Sequence, residues 1–328
     1  LYMNEIGGYL ELENFTGEEY YPELLKLNLG RTALLFALDY LKVKKLWLPY
    51  FLCDSVISIC SDIPITLEWY HINTEFEPIL PISELNDGEY IYVVNYYGQI
   101  SEQQLLSYKR RYRNILLDNT HAFFQKPLPD IPVLYSCRKF FGLPDGAYLF
   151  LGNVPKDLLS EYPIDFSSSR MGHILGRYEH SASDYYNDML ENARHYYEEP
   201  IKRMSHLTEN LLKGIDYSAV RKKRTENYAV LASALNQYNS LSLLHPDGPF
   251  VYPFYCPNGI NIRKKLAAEK IFVPTYWSNV INQMPGNTLE YDYAANILPL
   301  PCDQRYNKKH MEHILQVLKL IMKGQNNI

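Results

Sequence analysis

The chain has 328 residues, of which 47% are apolar, and a formal net charge of -5. It is long enough to bury one large core or two unequal ones, and it is too acidic for nucleic acid to be its main partner. Its most apolar helical stretch, Thr32 to Leu41, is broken by Asp39 and falls short of the roughly 20 apolar residues a bilayer requires, so no membrane span is expected.

The opening LYMNEIGG lacks the basic and apolar regions of a signal peptide. Five scattered cysteines without a C-x-x-C pair suggest neither a disulfide framework nor a cysteine zinc site. Reduced thiols in the cytoplasm are expected. Two basic runs, 109–113 and 221–224, read as solvated helix faces. The 30 tyrosines suit a groove that needs flat faces with polar tips, although most read as packing.

Along the first half, strand and helix signals alternate, the pattern of a largely parallel sheet with helices on its faces. The strand candidates are KLWLPYF (45–51), ITLEWYHI (65–72), EYIYVVNYYG (89–98), NILLDNTHAFF (114–124), PVLYSC (132–137) and GAYLFLG (146–152). RTALLFALDYLK (31–42), CDSVISICSD (53–62) and SEQQLLSYKRRY (101–112) repeat apolar residues at three- and four-residue steps and read as helices. From about 181 to 213 the chain is polar and helical. The remainder, with SLSLLH, FVYPFYC, NIRKKLAAEK, IFVPTYW and HMEHILQVLKLIM, suggests a smaller α+β domain. The expected division is 1–213 for the large α/β domain and 214–328 for the small one.

Ligands of open α/β sheets gather beyond the carboxyl ends of the strands. Four places stand out there. Gly30, Arg31 and Thr32 open a helix whose free N–H groups suit a phosphate, or Thr32 simply caps it. Asp118 and His121 follow an apolar strand, where a turn cap and a core histidine are the plainer readings. Asn95, Tyr96 and Gly98 end another strand. Ser136 and Lys139 follow PVLY. A lysine placed among apolar strands is costly unless its charge is paired or removed, and desolvation lowers its pKa. A free amine can form a Schiff base with an aldehyde. If the aldehyde is pyridoxal 5'-phosphate (PLP), a carboxylate facing the ring nitrogen and an anion-binding helix start are also needed. Asp118 and the Gly30–Thr32 turn supply both. His310 and His313 sit at helical spacing without a third ligand and read as an exposed face, so no metal is expected.

These residues resemble the DegT/StrS-type family of PLP-dependent sugar aminotransferases, of fold type I. GRTALL is similar to the family's phosphate turn, LPYFLCDS to its Pro-containing strand end, VNYYGQ to its aromatic-glycine turn and DNTH to its Asp-x-x-His element. SCRKFFGLPDGA resembles its Ser…Lys…Asp-Gly-Gly segment, KRMSHLTENLL its Arg-Met-Ser helix, EKIFVPTYW its small-domain strand, and ILPLPCDQRYNKKHMEHILQVL its closing strand and helix. The resemblance implies a mostly parallel seven-stranded-type sheet and a homodimer with active sites at the subunit interface. It implies that Lys139 holds PLP as the internal aldimine, that Asp118 keeps the pyridine nitrogen protonated and that His121 lies near the ring oxygen. Thr32 and Ser136 would bind phosphate with the Gly30–Arg31 backbone, while Asn95 and Tyr96 would lie close to substrate. The implied reaction moves an amino group from an amino acid onto a nucleotide-linked keto-sugar, in surface polysaccharide or related pathways. Another PLP reaction on a sugar, or a non-catalytic protein that binds a nucleotide-sugar or a partner, stays open.

Several positions depart from the family pattern. Ser136 stands three residues before Lys139 where five are usual, and Cys53 takes the place of a stacking ring, for which Tyr50 or Phe51 would substitute. Ala147 replaces the second glycine, and the Asn before Arg203 is absent.

Overall fold

A computed structural model describes residues 6–155, 157–195 and 200–323. Strand β1 (Leu25–Leu27) leads into helix α1 (Gly30–Tyr40), followed by β2 (Lys45–Pro49), α2 (Asp54–Ser61), β3 (Thr66–Ile72) and β4 (Pro78–Ile79). Next come β5 (Glu89–Val94), α3 (Glu102–Tyr112), β6 (Ile115–Asp118), β7 (Val133–Ser136) and β8 (Ala147–Phe150). Four helices follow: α4 (Gly172–Glu179), α5 (Tyr186–His195), α6 (His206–Lys213) and α7 (Tyr217–Leu235). The chain then forms β9 (Val251–Tyr255), α8 (Gly259–Ala268), α9 (Ser278–Gln283), α10 (Leu289–Asn296), β10 (Ile297–Pro301) and α11 (Lys308–Lys323).

The large sheet has the order β1-β8-β7-β6-β5-β2-β3-β4. Its centre, the run β7-β6-β5-β2-β3, is parallel, and β8 runs against both of its neighbours. Strands buried on both faces must be apolar on both, which is why LWL, IYVV and ILL run without alternation. The seven expected strands become eight because the chain turns back after β3, with Phe76 at positive φ, and adds the two residues of β4 antiparallel to it. Helix α3 starts on a reciprocal cap: the Ser101 hydroxyl accepts from Gln104 N–H at 3.3 Å, and the Gln104 side chain accepts from Ser101 N–H at 2.9 Å.

The later part of the chain serves two cores. Val251, Val280, Tyr293 and Ile297 pack into the core of the large sheet. A second core joins the latter half of α7 to β9, β10, α8 and α11, the last burying Met311, Ile314, Val317 and Leu318 along one stripe. One expectation fails there: EKIFVPTYW forms no strand, and the small sheet is β9 paired with β10. The expected helical stretch 181–213 holds α5 and α6, with residues 196–199 outside the described ones. Nor is the run 221–224 a solvated face throughout. Arg224 is buried and donates to the carbonyls of Pro249, Phe250 and Phe140, so it ties α7 to the large core.

One polar cluster anchors the site from below. Asp145 is fully buried and accepts from Ser205 N–H at 2.8 Å, from Ser205 Oγ at 2.7 Å and from the Thr208 hydroxyl. The PDG turn is thereby clamped to the start of α6. Gly146 is needed in that clamp, since at φ 115° a Cβ would lie 2.9 Å from Thr208 Cγ2.

Candidate active site

The parallel strands β2, β5, β6 and β7 release the chain at one edge of the sheet, which gathers Tyr50–Cys53, Asn95–Gly98, Asp118–His121 and Ser136–Lys139. Asp118 ends β6. Its carboxylate is buried and accepts from Tyr92 Oη at 2.7 Å and from Thr120 N–H at 2.7 Å. No described cation lies within ion-pair distance of it. Burial pushes its pKa up, while the two hydrogen bonds and the charge of Lys139 pull the other way.

Lys139 closes a 3-10 turn that follows β7 directly. Water reaches its side chain, yet protein crowds around it, as expected for an amine standing in a concave site. That crowding lowers its pKa, helped by Arg138 and opposed by Cys53 and Asp118. The ring of Tyr276 stands with its centroid 5.8 Å from Nζ. His121 is buried in a stack of rings, 4.4 Å from Phe250 at 15° and 6.0 Å from Trp277 at 7°. Burial, reinforced by Lys139, presses its pKa well down and keeps the imidazole neutral.

The anion cup lies at the start of α1. Gly30, Arg31 and Thr32 precede the first intrahelical bond, Ala33 N–H to Leu29 O at 3.0 Å, so their amides face outward from the helix end. A Cβ built on Gly30 would lie 3.8 Å from Ser136 Cβ, which brings this turn against the end of β7. The Ser136 hydroxyl makes no hydrogen bond among the described residues. Thr32 is placed otherwise than its motif suggests: its one proton goes to Asn28 Oδ1 at 2.7 Å or Leu29 O at 2.9 Å, and it accepts from Leu29 N–H. It shapes the turn and has no proton left for a phosphate.

Asn95 and Tyr96 are likewise committed. Both are buried; Asn95 donates to Asn119 and Gln125 and accepts from Ile100 N–H, and Tyr96 donates to Phe51 O at 2.7 Å. They hold the loops in place. Tyr50 stacks on Trp69 and packs tilted against His71, and Phe51 is buried against Tyr96 and Trp277. Neither is seen to supply the ring that Cys53 lacks; the ring beside Lys139 belongs to Tyr276. Only its aromatic character hinted at this, because contact between such distant segments leaves no local pattern. Cys53 itself hydrogen-bonds Ser55 Oγ at 3.0 Å, and burial raises its thiol while Lys139 lowers it.

These residues fit PLP. A buried carboxylate without a cation matches a protonated ring nitrogen, the crowded amine matches an aldehyde, and the Gly30–Arg31 amides with Ser136 match a phosphate. No metal-ligating cluster occurs among the described residues.

No family model and no curated protein matches the sequence. Solved structures do match the fold. An aminotransferase of the DegT, DnrJ, EryC1 and StrS type from Brucella abortus aligns at TM-score 0.60 and 12% identity, covering 91% of this chain and 85% of that one. Sugar aminotransferase CalS13 from Micromonospora echinospora aligns at 0.61 and 12%, covering 91% and 87%. NtdA from Bacillus subtilis, solved with its cofactor PMP, aligns at 0.65 and 13%, covering 92% and 73%. The α/β architecture with its smaller second sheet is theirs.

Proposed function

From the fold shared with sugar aminotransferases, we propose that this protein is a PLP-dependent aminotransferase, and that its acceptor is a nucleotide-linked keto-sugar. The carrying observation is the convergence of Lys139, Asp118 and the Gly30–Ser136 cup at the strand ends of one sheet. When bound, PLP supplies an electron sink that lets nitrogen pass between an amino acid and a carbonyl.

This chain's residues supply the rest. The amides of Gly30 and Arg31, with the Ser136 hydroxyl, bind the phosphate. The Asp118 carboxylate holds a proton on the ring nitrogen, and Tyr92 and Thr120 fix its two oxygens. Lys139 Nζ carries a proton to and from the substrate carbon that bears the nitrogen, and its lowered pKa leaves more of the amine free to accept one than an ordinary lysine would. His121, neutral and locked between rings, cannot compete for that proton. The reading extends to a homodimer, supported by the fold, and to the cytoplasm, supported by five cysteines without a disulfide. Among the described residues no helix is long and apolar enough to cross a membrane.

The test is one half-reaction. PLP-treated protein mixed with glutamate, without acceptor, should release one 2-oxoglutarate per chain and then stop. Absence of that burst with every amino acid tried would favour a non-catalytic binding protein.

A further inference from the structure

Arg224 is buried at greater cost than a tie between helix and core requires. It lies within α7 and is 2% exposed, and among the described residues no carboxylate stands within ion-pair distance of it. Neutral oxygens meet its charge instead, and burial pulls its pKa down to about 10. A buried guanidinium without a counter-ion is costly, and an apolar side chain would fasten a helix to a core more cheaply. What a guanidinium adds is a rigid fork that fixes several acceptors at once.

The acceptors it fixes flank Lys139 on two sides. On the first side is Phe140, the residue directly after Lys139, whose carbonyl accepts from Arg224 Nη2 at 3.1 Å and from Gln304 Nε2 at 2.8 Å. Gln304 Oε1 accepts in turn from Arg224 Nε at 2.7 Å, and the guanidinium lies 4.5 Å from the Phe140 ring centroid. The opposite end of the Lys139 turn is held by Cys137 N–H, which donates to Gly146 O at 3.1 Å. On the second side, Arg224 Nη1 donates to the carbonyls of Pro249 and Phe250 at 3.0 and 3.2 Å. The Phe250 ring stacks 4.4 Å from His121 and 6.0 Å from Tyr276, the ring beside Lys139. One side chain of α7 thus holds both the turn that bears the amine and the rings that crowd it.

We infer that Arg224, together with Gln304, is a positioning residue for the Lys139 amine. With turn and rings fixed against each other, the amine keeps its crowded place; with either loosened, it moves toward water and takes a proton more readily. That the amine serves transamination rests on the function proposed above, whereas its placement does not.

The test is the pH midpoint of Lys139 labelling by an amine-selective aldehyde in the cofactor-free full chain, read by mass spectrometry of the modified peptide. In Arg224→Lys, which keeps the charge and loses the fork, the midpoint should rise toward 10.5 by about half a pH unit. Should that variant fail to fold, Gln304→Leu, which keeps Arg224 and removes one donor to Phe140 O, should move it in the same direction. Tyr228→Phe, which deletes a 2.9 Å bond from the next turn of α7 to Leu244 O, should leave it in place. An unmoved midpoint in either folded variant, an equal rise in Tyr228→Phe, or a wild-type midpoint already at 10.5 would overturn the assignment. PLP uptake separates it from the function proposed above. Midpoints that move as stated in a protein that takes up no PLP would refute the aminotransferase and uphold the positioning role; uptake of PLP with unmoved midpoints would do the reverse.

Discussion

Lys139 stands where water can reach it and charge is still disfavoured, and both properties can be measured. Because its pKa is lowered, a larger fraction is neutral at any given pH than for an ordinary lysine. Its labelling by an amine-selective aldehyde should therefore rise with pH through a midpoint below 10.5, and mass spectrometry of the modified peptide would report it. A midpoint at or above 10.5 contradicts the crowding. Asp118 titrates in the opposite sense. Its folded pKa is raised, so its contribution to stability is full below the unfolded value and lost as pH rises through the folded one. At neutral pH the ionised carboxylate is a cost. Asp118→Asn should stabilise the cofactor-free protein at pH 7 by roughly 1 kcal/mol in urea titration, yet lower transamination at least 100-fold. A variant both less stable and fully active would sink the assignment. Both positions could be read from the sequence as polar residues at the ends of apolar strands, Asp118 closing β6 and Lys139 following β7. Thr32, Asn95 and Tyr96 show the converse: at a strand end, a motif residue can be spent on holding the loop, and only the partner atoms reveal it.

Among the elements, the PDG turn and the start of α6 form the joint that sets the floor of the site. Asp145 accepts three hydrogen bonds in complete burial. Asp145→Ala should destabilise by about 3 kcal/mol, because it strands three donors; a loss under 1 kcal/mol in denaturant titration would refute the clamp. Gly146→Ala, at φ 115° and against Thr208, should cost about 2 kcal/mol. The main strands and helices of the large sheet were readable because apolar runs and three-four periodicity are local. β4 was not, being two residues long, and IFVPTYW misled because its β-branched and aromatic residues serve contacts with distant segments: Ile271 and Val273 in the second core, Tyr276 beside Lys139.

At the scale of the molecule, a parallel sheet brings polar residues from separate strand ends to one edge, and the segment after α8, packed against the large core, presents Tyr276 to them from far along the chain. Neither core stands alone, since β9, α9 and α10 contribute to the large one. A single cooperative unfolding transition is therefore expected, with coincident fluorescence and circular dichroism curves; two separated transitions would contradict the shared packing. The most direct measurement of the whole account is an absorbance titration of the protein with PLP. A saturable band at the visible edge, one equivalent per chain, removed by borohydride only with label fixed on Lys139 and absent from Lys139→Ala, is the predicted result. An unchanged band in Lys139→Ala, or label fixed on another lysine, would contradict it.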